Sequence, residues 1–412
     1  MGTLTKTIKL HLHTDKETDL LFQEVTKRYA SACDYVSQYI FENNFPLDHT
    51  KVQKKIYGDI RRVFDMKSQM SISTIRTVVA RYKTVKEQLT QNPYRYKDVD
   101  GKWKYAEKTL EWLYKPVKFS RPQADFVRNK DYRFVEGMTV LSINTLKKRV
   151  RVSFDIPECY REYLEPGSPW KFGTGKLVRM KKKWYFHIPV TKEIPDEPEV
   201  LAPFLIVGID RGLRFLIAAY DGEGKTLFIN GAEVLKKRKI FIDVRAELQA
   251  RDTKSAKRVL KRLSGRENRW MSDVNHCISK TLVDKYGGNI LFVIEDLAGV
   301  SFFEKNLSNR NSSSRNELRS WAFYALEQYL IYKAAEKGSF VIKVSPKYTS
   351  QRCPKCGRIR KENRIHDRHE YICDACGYRS NDDRIGAMNL LDLGLQYLSG
   401  IEKPMFQSPP GG

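Results

Sequence analysis

Along this chain the spacing of hydrophobic and polar positions changes several times, and each change marks a different kind of element. The opening TLTKTIKLHLH alternates apolar and polar side chains, the two-residue period of a strand. From about Asp15 to Gln91 the period lengthens to three and four. DKETDLLFQEVTKRYASACDYVSQYIFEN and SISTIRTVVARYKTVKEQL both carry the stripe of an amphipathic helix, the second after a Ser-rich start. Between Tyr94 and Ile194 come short runs rich in β-branched and aromatic residues: TVLSIN, KRVRVSFDI, GKLVRM and KWYFHIPV. Broken by Gly, Pro and Lys clusters, they predict a small barrel or sandwich that the N-terminal strand rejoins. The stretch KEIPDEPEVLAP is acidic and holds Pro195, Pro198 and Pro203, which disfavour regular structure and mark a domain boundary.

Beyond that boundary FLIVGID, RFLIAAYD and KTLFIN predict three strands, the last two joined by the turn Asp221–Gly224. A long basic helix follows, about Ala256 to Tyr286, then the strand NILFVIE and a polar loop. A helix from about Leu318 to Lys337 and the strand SFVIKVS complete the series. Three antiparallel strands, helix, strand, helix, strand is the order of the ribonuclease H-like fold. The final EKPMFQSPPGG reads as a disordered tail.

Three acids fall at the ends of these elements. Asp210 closes FLIVGID, Glu295 closes NILFVIE, and Asp383 opens the helix-like DRIGAMNLL. Open α/β sheets gather their sites at strand C-terminal ends, so this placement predicts a metal-dependent nuclease core. Two divalent ions about 4 Å apart clamp the attacking and leaving oxygens of a phosphodiester, and hard Mg²⁺ takes oxygen ligands. Asp210 is expected to bridge the ions, with Glu295 and Asp383 completing the set. A lone acid at a strand end is ordinarily just solvated; the joint placement lifts these three. Asp296 and Asp382 are adjacent competitors, but neighbouring strand residues point to opposite faces, and Glu295 closes the apolar alternation.

Cys353-Pro-Lys-Cys356-Gly and Cys373-Asp-Ala-Cys376-Gly are two CxxCG knuckles, a pattern that predicts a closed four-thiolate structural Zn²⁺ site. Each Gly permits the tight knuckle turn. The metal supplies folding free energy to so short a segment and fixes the helix that begins within ten residues of Cys376. His366 and His369, inside the loop, read as solvent-facing or phosphate-contacting. Cys33, Cys159 and Cys277 read as small buried hydrophobes.

Charge changes the picture next. The 412 residues carry 74 Lys+Arg against 49 Asp+Glu, a net charge of +25, which calls for a polyanionic partner. The apolar runs are too short to span a bilayer and the N-terminus lacks a signal h-region, so a soluble intracellular protein is expected. Lys254, Lys257, Arg258, Lys261 and Arg262, then Arg266 and Arg269, form one basic helix face read as phosphate-facing. Arg76, Arg81, Lys83 and Lys86 decorate a helix near the N-terminus in the same manner. Lys147–Arg149 and Lys181–Lys183 serve equally as solvated turns. The loop Asn306–Leu318, NLSNRNSSSRNEL, lies where it could gate a site.

GIDRGLRFLIAAYDGEG, VIEDLAG, KYTSQRCPKCG…YICDACGY and DDRIGAMNLL, in that order, resemble the transposon-encoded TnpB proteins and their relatives, the miniature type V CRISPR effectors. The resemblance is close in the C-terminal half and extends to layout alone in the N-terminal half. It implies an RNA-guided DNA endonuclease of α+β, multidomain build, with a RuvC-type, ribonuclease H-like core and an inserted zinc ribbon. A β-barrel wedge domain with an inserted helical recognition lobe precedes that core. The implied layout is a wedge strand (1–14), helical lobe (15–130), wedge barrel (131–195), nuclease core (203–349), ribbon (350–379), C-terminal helix (380–398) and tail (399–412). It also implies guide RNA and double-stranded DNA as partners, Mg²⁺ and Zn²⁺ as cofactors, and the prokaryotic cytoplasm, with action at the nucleoid, as location. The family's acids fall on Asp210, Glu295 and, counting back from Asn389, Asp383. Ile385 and Gly386 stand where the family's Asn and first Ala are usual, and GIDRG replaces the commoner GIDLG. A CRISPR-derived guide and a transposase-like strand transferase are the alternatives. With no sequence-reading module such as a helix-turn-helix in view, recognition by base pairing to a guide accounts for the charge.

Overall fold

The structure, a computed structural model, describes residues 2–195, 205–297, 323–365 and 367–407. The chain divides into two compact units, Met1–Ile194 and Pro195–Gly412.

In the first unit β1 (Gly2–Leu12) precedes three helices, α1 (Lys16–Glu42), α2 (His49–Phe64) and α3 (Ser68–Gln91). Asp15 and Asp48 cap α1 and α2 by accepting first-turn backbone N–H groups, which starts both helices where the sequence period changes. The strands β2 (Tyr94–Lys97) and β3 (Trp103–Ala106) form a separate hairpin. There follow β4 (Gln123–Phe126), β5 (Tyr132–Val135), β6 (Val140–Asn144), β7 (Arg149–Ser153) and the one-turn helix α4 (Arg161–Leu164). The unit ends with β8 (Lys171–Phe172), β9 (Gly175–Met180) and β10 (Lys183–Ile194).

The main sheet runs β1-β10-β9-β4, with β8 also on β10. β1 pairs antiparallel with β10 along its whole length, Gly2 opposite Ile194 and Leu12 opposite Trp184. Its alternation buries Ile8 and Leu10 against Trp184, Phe186 and Ile188 of β10's inner face. Strands β5-β6-β7 form a second sheet, joined to the first by a backbone bridge, Leu12 to Phe154, and packed on it through Tyr132 against Phe186 and Phe134 against Phe172. Among the described residues no closed barrel forms, so the expected wedge barrel is corrected to two open sheets. Within the span expected for the helical lobe, 15–130, the helices end at Gln91, and β4 pairs with β9 of the main sheet.

The second unit opens with β11 (Leu205–Asp210), β12 (Phe215–Asp221) and β13 (Thr226–Asn230), the last two joined at Asp221–Gly224 as the sequence predicts. Two helices follow, α5 (Ala232–Arg251) and α6 (Lys254–Tyr286), then β14 (Ile290–Glu295), α7 (Phe323–Glu336) and β15 (Phe340–Val344). α5 has no sequence forecast because its charges are spread around the helix and leave no clean apolar stripe. Small strands β16 (Arg364–Ile365), β17 (Glu370–Ile372) and β18 (Arg379–Asn381) pair within the cysteine-bearing segment, and α8 (Asp382–Leu398) comes last.

The sheet order is β13-β12-β11-β14-β15, antiparallel on the β13 side and parallel across β11-β14-β15. Val207, Ile209, Phe292 and Ile294 face α6 and α7, packing with Met271, Leu282, Leu326 and Leu330. Ile206, Leu291 and Val293 face the other way, onto Leu390 and Leu393 of α8. Each such buried aliphatic side chain contributes about 1.5–3 kcal/mol relative to exposure. Phe406 completes this second cluster beneath the Arg352 guanidinium, 4.4 Å from its ring. The expectation of a disordered tail is therefore corrected as far as Gln407: an aromatic docks the chain end. The loop Asn306–Leu318 lies outside the described residues.

Candidate active site

Strand alternation decides which acids meet. In β11, Ile206 and Gly208 face α8, so Asp210 does too; in β14 the same holds for Leu291, Val293 and Glu295. The parallel register pairs Ile209 with Ile294, so Asp210 and Glu295 leave neighbouring strands side by side. Asp383 arrives from the first turn of α8, where the Asn381 side chain accepts from the Asp383 and Arg384 backbone N–H groups. Asp210, Glu295, Asp382 and Asp383 all line one open cleft of about 1120 Å³, together with Arg211, Arg214, Thr349, Arg364 and His369.

Three glycines allow the close approach. A Cβ on Gly208 would lie 2.0 Å from the Ala387 carbonyl oxygen, and one on Gly394 would lie 2.6 Å from Val293. On Gly386 it would lie 2.6 Å from an Asp210 carboxylate oxygen. Both departures at the helix start thus acquire a reason. Gly386 leaves room for Asp210, and Ile385 is fully buried among Cys353, Tyr371 and Cys373, tying α8 to the cysteine segment. Asn389, also fully buried, donates to the carbonyls of Thr349 (2.7 Å) and Arg352 (2.8 Å). That loop in turn presents the Thr349 hydroxyl, which donates to Glu295 at 2.6 Å.

The cleft concentrates negative charge. Burial, then the neighbouring Glu295 and Asp383, hold the Asp210 carboxyl well above its ordinary range, opposed by Arg364. Burial raises Glu295 as well, against the Thr349 hydroxyl, Arg211 and Arg364. Asp383 is raised by burial and then by Asp382. Asp382 is 1% exposed and engaged elsewhere: Arg364 Nε donates to it at 2.9 Å, and His369 Nδ1 lies 3.7 Å away. Such mutual destabilisation of ionised carboxylates is relieved by a shared cation. The oxygen-only acid set suits a hard divalent ion.

Arg211, the residue that departs from GIDLG, is nearly buried and spans two elements. Its guanidinium donates to the Glu295 carbonyl at 2.7 Å and lies 3.4 Å from Glu327 on α7. Sequence reasoning assigned no role to Arg211, Thr349, Arg364 or Gly386. Only Arg211 carried a usable signal, a cation directly after a buried strand's acid.

The four cysteine sulfurs lie within 4.8 Å of one another, with Cys353 to Cys376 at 3.6 Å and Cys356 to Cys373 at 3.5 Å. A tetrahedral Zn²⁺ with bonds of about 2.3 Å needs sulfurs about 3.8 Å apart, so the set is consistent with zinc. Gly357 and Gly377, at φ 77° and 71°, make the two knuckle turns. From this segment Arg364 and His369 reach the acids at the head of α8. His369 lines the cleft, part-exposed, with Nδ1 3.7 Å from Asp382; His366 lies outside the described residues.

Lys254, Lys257, Arg258, Lys261 and Arg262 are exposed on the first turns of α6, Lys257 paired with Asp252 at 2.8 Å. Arg76 and Arg81 are exposed on α3. None of the seven lines the cleft. No described helix is long and apolar enough to cross a membrane.

Two family models match the chain: "Probable transposase" (OrfB_IS605) over residues 187–301 and "Cas12f1-like, TNB domain" over 323–390. A CRISPR-associated endodeoxyribonuclease Cas12f1 of Syntrophomonas palmitatica is 32% identical over 213 residues, 48% of this chain and 40% of that protein. A TnpB-like protein of Methanocaldococcus jannaschii is 24% identical over 265 residues, 62% of this chain and 90% of that protein. The chain spans about half the length, or less, of the first curated relatives it matches, 40% and 50%. The solved structure of the mini-RNA-guided endonuclease CRISPR-Cas_phi3 shares the fold at a TM-score of 0.51 and 11% identity, over 99% of this chain and 94% of that one. Over residues 187–301 and 323–390 the chain is thus similar to the TnpB-like and Cas12f1-like proteins that its motifs resemble.

Proposed function

We propose that this protein is an RNA-guided DNA endonuclease of TnpB type, with a RuvC-like, ribonuclease H-like core in its second unit. The convergence of Asp210, Glu295 and Asp383 on one cleft, from two parallel strands and a helix start, carries this reading. The names of the relatives and the net charge of +25 support it. The β11-β14-β15 core and the cysteine ribbon supply the scaffold, and the sheets and helices of the first unit serve as wedge and recognition lobe.

Asp210, Glu295 and Asp383 would hold Mg²⁺. When bound, such ions polarise the scissile phosphate and activate water as the nucleophile. The chain's own residues do the rest. Thr349 fixes the rotamer of Glu295 by donating to it. Arg211 locks the end of β14, and Asn389 holds the Thr349 loop onto α8. Arg364 holds Asp382 at 2.9 Å and reaches Asp383 more loosely at 3.5 Å, which orients both acids at the head of α8. Four thiolates would hold zinc in a closed site, so that ion acts on structure rather than on substrate. Guide pairing would choose the target, leaving the protein to bind backbones.

Plasmid cleavage with the co-purified RNA tests this reading. Asp210→Ala is expected to abolish cutting, and chelation of divalent ions to do the same to the wild-type chain. Unchanged cutting by Asp210→Ala would sink the assignment. Joining of labelled DNA ends in place of hydrolysis would point instead to a strand transferase.

A further inference from the structure

The hairpin β2–β3 forms a two-stranded sheet of its own, unpaired with either of the other sheets of its unit. A two-stranded hairpin cannot build a core, and this one hides none of its rings. Among the described residues nine large aromatics are exposed, and six of them lie here: Tyr94, Tyr96, Trp103, Tyr105, Trp112 and Tyr114. Trp103 is 52% exposed and Tyr105 59%. Packed aromatics bury roughly 150–250 Å² each, so leaving this many wet within 21 residues marks a contact surface.

The register sorts the rings onto two faces. Tyr94 and Tyr96 leave one face with ring planes 13° apart and centroids 6.2 Å apart, and Trp112 flanks Tyr94 at 5.6 Å. Trp103 and Tyr105 leave the other, where the Arg95 guanidinium sits 4.0 Å from the Trp103 ring and the Lys97 ammonium 5.3 Å from it. The turn is firmly built: Asp98 accepts from the Asp100 and Lys102 backbones and pairs with Lys104 at 3.1 Å. Residues 94–118 hold seven Lys/Arg against four Asp/Glu. Flat rings interleaved with cations suit a ligand offering π-faces and negative charge together. A duplex offers phosphates and groove edges, its base faces being consumed by stacking. Unpaired nucleotides offer both.

We propose that the β2–β3 hairpin is a base-stacking platform for an unpaired stretch of the guide RNA. Bases stack on Tyr94/Tyr96 and on Trp103/Tyr105, and Arg95, Lys97 and Lys104 meet the phosphates. The choice of RNA rests on the function proposed above: a structured guide keeps loops unpaired throughout, whereas target DNA bares its bases only after opening.

The test is binding of a fluorescein-labelled unstructured RNA oligonucleotide, its DNA counterpart and the corresponding RNA duplex to the full chain carrying Asp210→Ala. Trp103→Ala/Tyr105→Ala and, separately, Tyr94→Ala/Tyr96→Ala should each weaken single-stranded RNA binding about tenfold to a hundredfold, at an unchanged salt slope and thermal midpoint. Lys97→Ala/Lys104→Ala should instead lower the slope. Single-stranded RNA binding equal to the parent's in both aromatic variants overturns the platform alone. A loss confined to the DNA oligonucleotide or to the duplex overturns it as well. Failure of the parent chain to bind any RNA overturns the RNA-guided reading, and the platform with it.

Discussion

Single residues in the cleft act mostly on one another's charge. Thr349 donates 2.6 Å to Glu295 and favours its ionised form, against a burial that disfavours it. The carboxylate must be ionised to hold a cation, so its titration, with those of Asp210 and Asp383, shapes the acid side of the pH–rate profile. Thr349→Val removes the donor and raises the Glu295 pKa further. The acid limb should therefore move to higher pH. Cleavage measured between pH 5 and 9 checks this, and an unmoved limb would show that Thr349 merely packs. Part of this arrangement was legible beforehand. Asp210 and Glu295 announce themselves by ending apolar runs. The preference for Asp383 over Asp382 rests on counting back from Asn389, and the sequence does not show that Arg364 reaches both acids while His369 lies against Asp382.

Whole elements are held by how closely they approach. α8 lies against β11 because Gly208 has no side chain: a Cβ there meets the backbone of Ala387 and Leu391 at 2.0 and 2.5 Å. Neither backbone atom can step aside cheaply. Gly208→Ala should cost about 2–3 kcal/mol or more and lower the thermal midpoint, with cleavage reduced even well below it because Asp383 is pushed outward. A midpoint and activity equal to wild type would refute this account of the helix–sheet contact. The cysteine segment makes a second hold, through Ile385 and Arg364. Removal of zinc should abolish cleavage, excess Mg²⁺ should not restore it, and re-addition of zinc should. Far-UV dichroism would change little, since the five-stranded sheet stands apart from the ribbon's short strands. At this scale the sequence spoke unevenly. Strands β11 to β15 and helix α6 follow from apolar runs and caps. α5 does not, because its stripe is blurred by lysines. Barrel closure could not be read either, since it depends on edge pairings that no alternation pattern encodes.

Over the whole molecule the decisive quantity is charge. A surplus of 25 positive charges spread over both units predicts nucleic-acid binding whose logarithm falls linearly with that of the salt concentration. Reversing Lys254, Lys257, Arg258, Lys261 and Arg262 to Glu should flatten that slope by several units. An unchanged slope would return the α6 face to the role of an ordinary solvated surface. Composition alone made this legible, whereas the residues that meet phosphate did not follow from it, because exposed cations on α3 and α6 look alike in the sequence.

The parallel pairing of β11 with β14, and the seating of α8 across them, have a consequence in time. Asp210, Glu295 and Asp383 lie 85 and 88 positions apart in order of synthesis. Parallel strands and long loops close late, and at about 5–20 residues per second the ribosome needs roughly 9 to 35 seconds to pass from the first acid to the third. A nascent chain that has already displayed its basic N-terminal unit is therefore still without a complete acid set. On the proposed reading, the surface that would hold a nucleic acid is made before the acids that would cut one are all present.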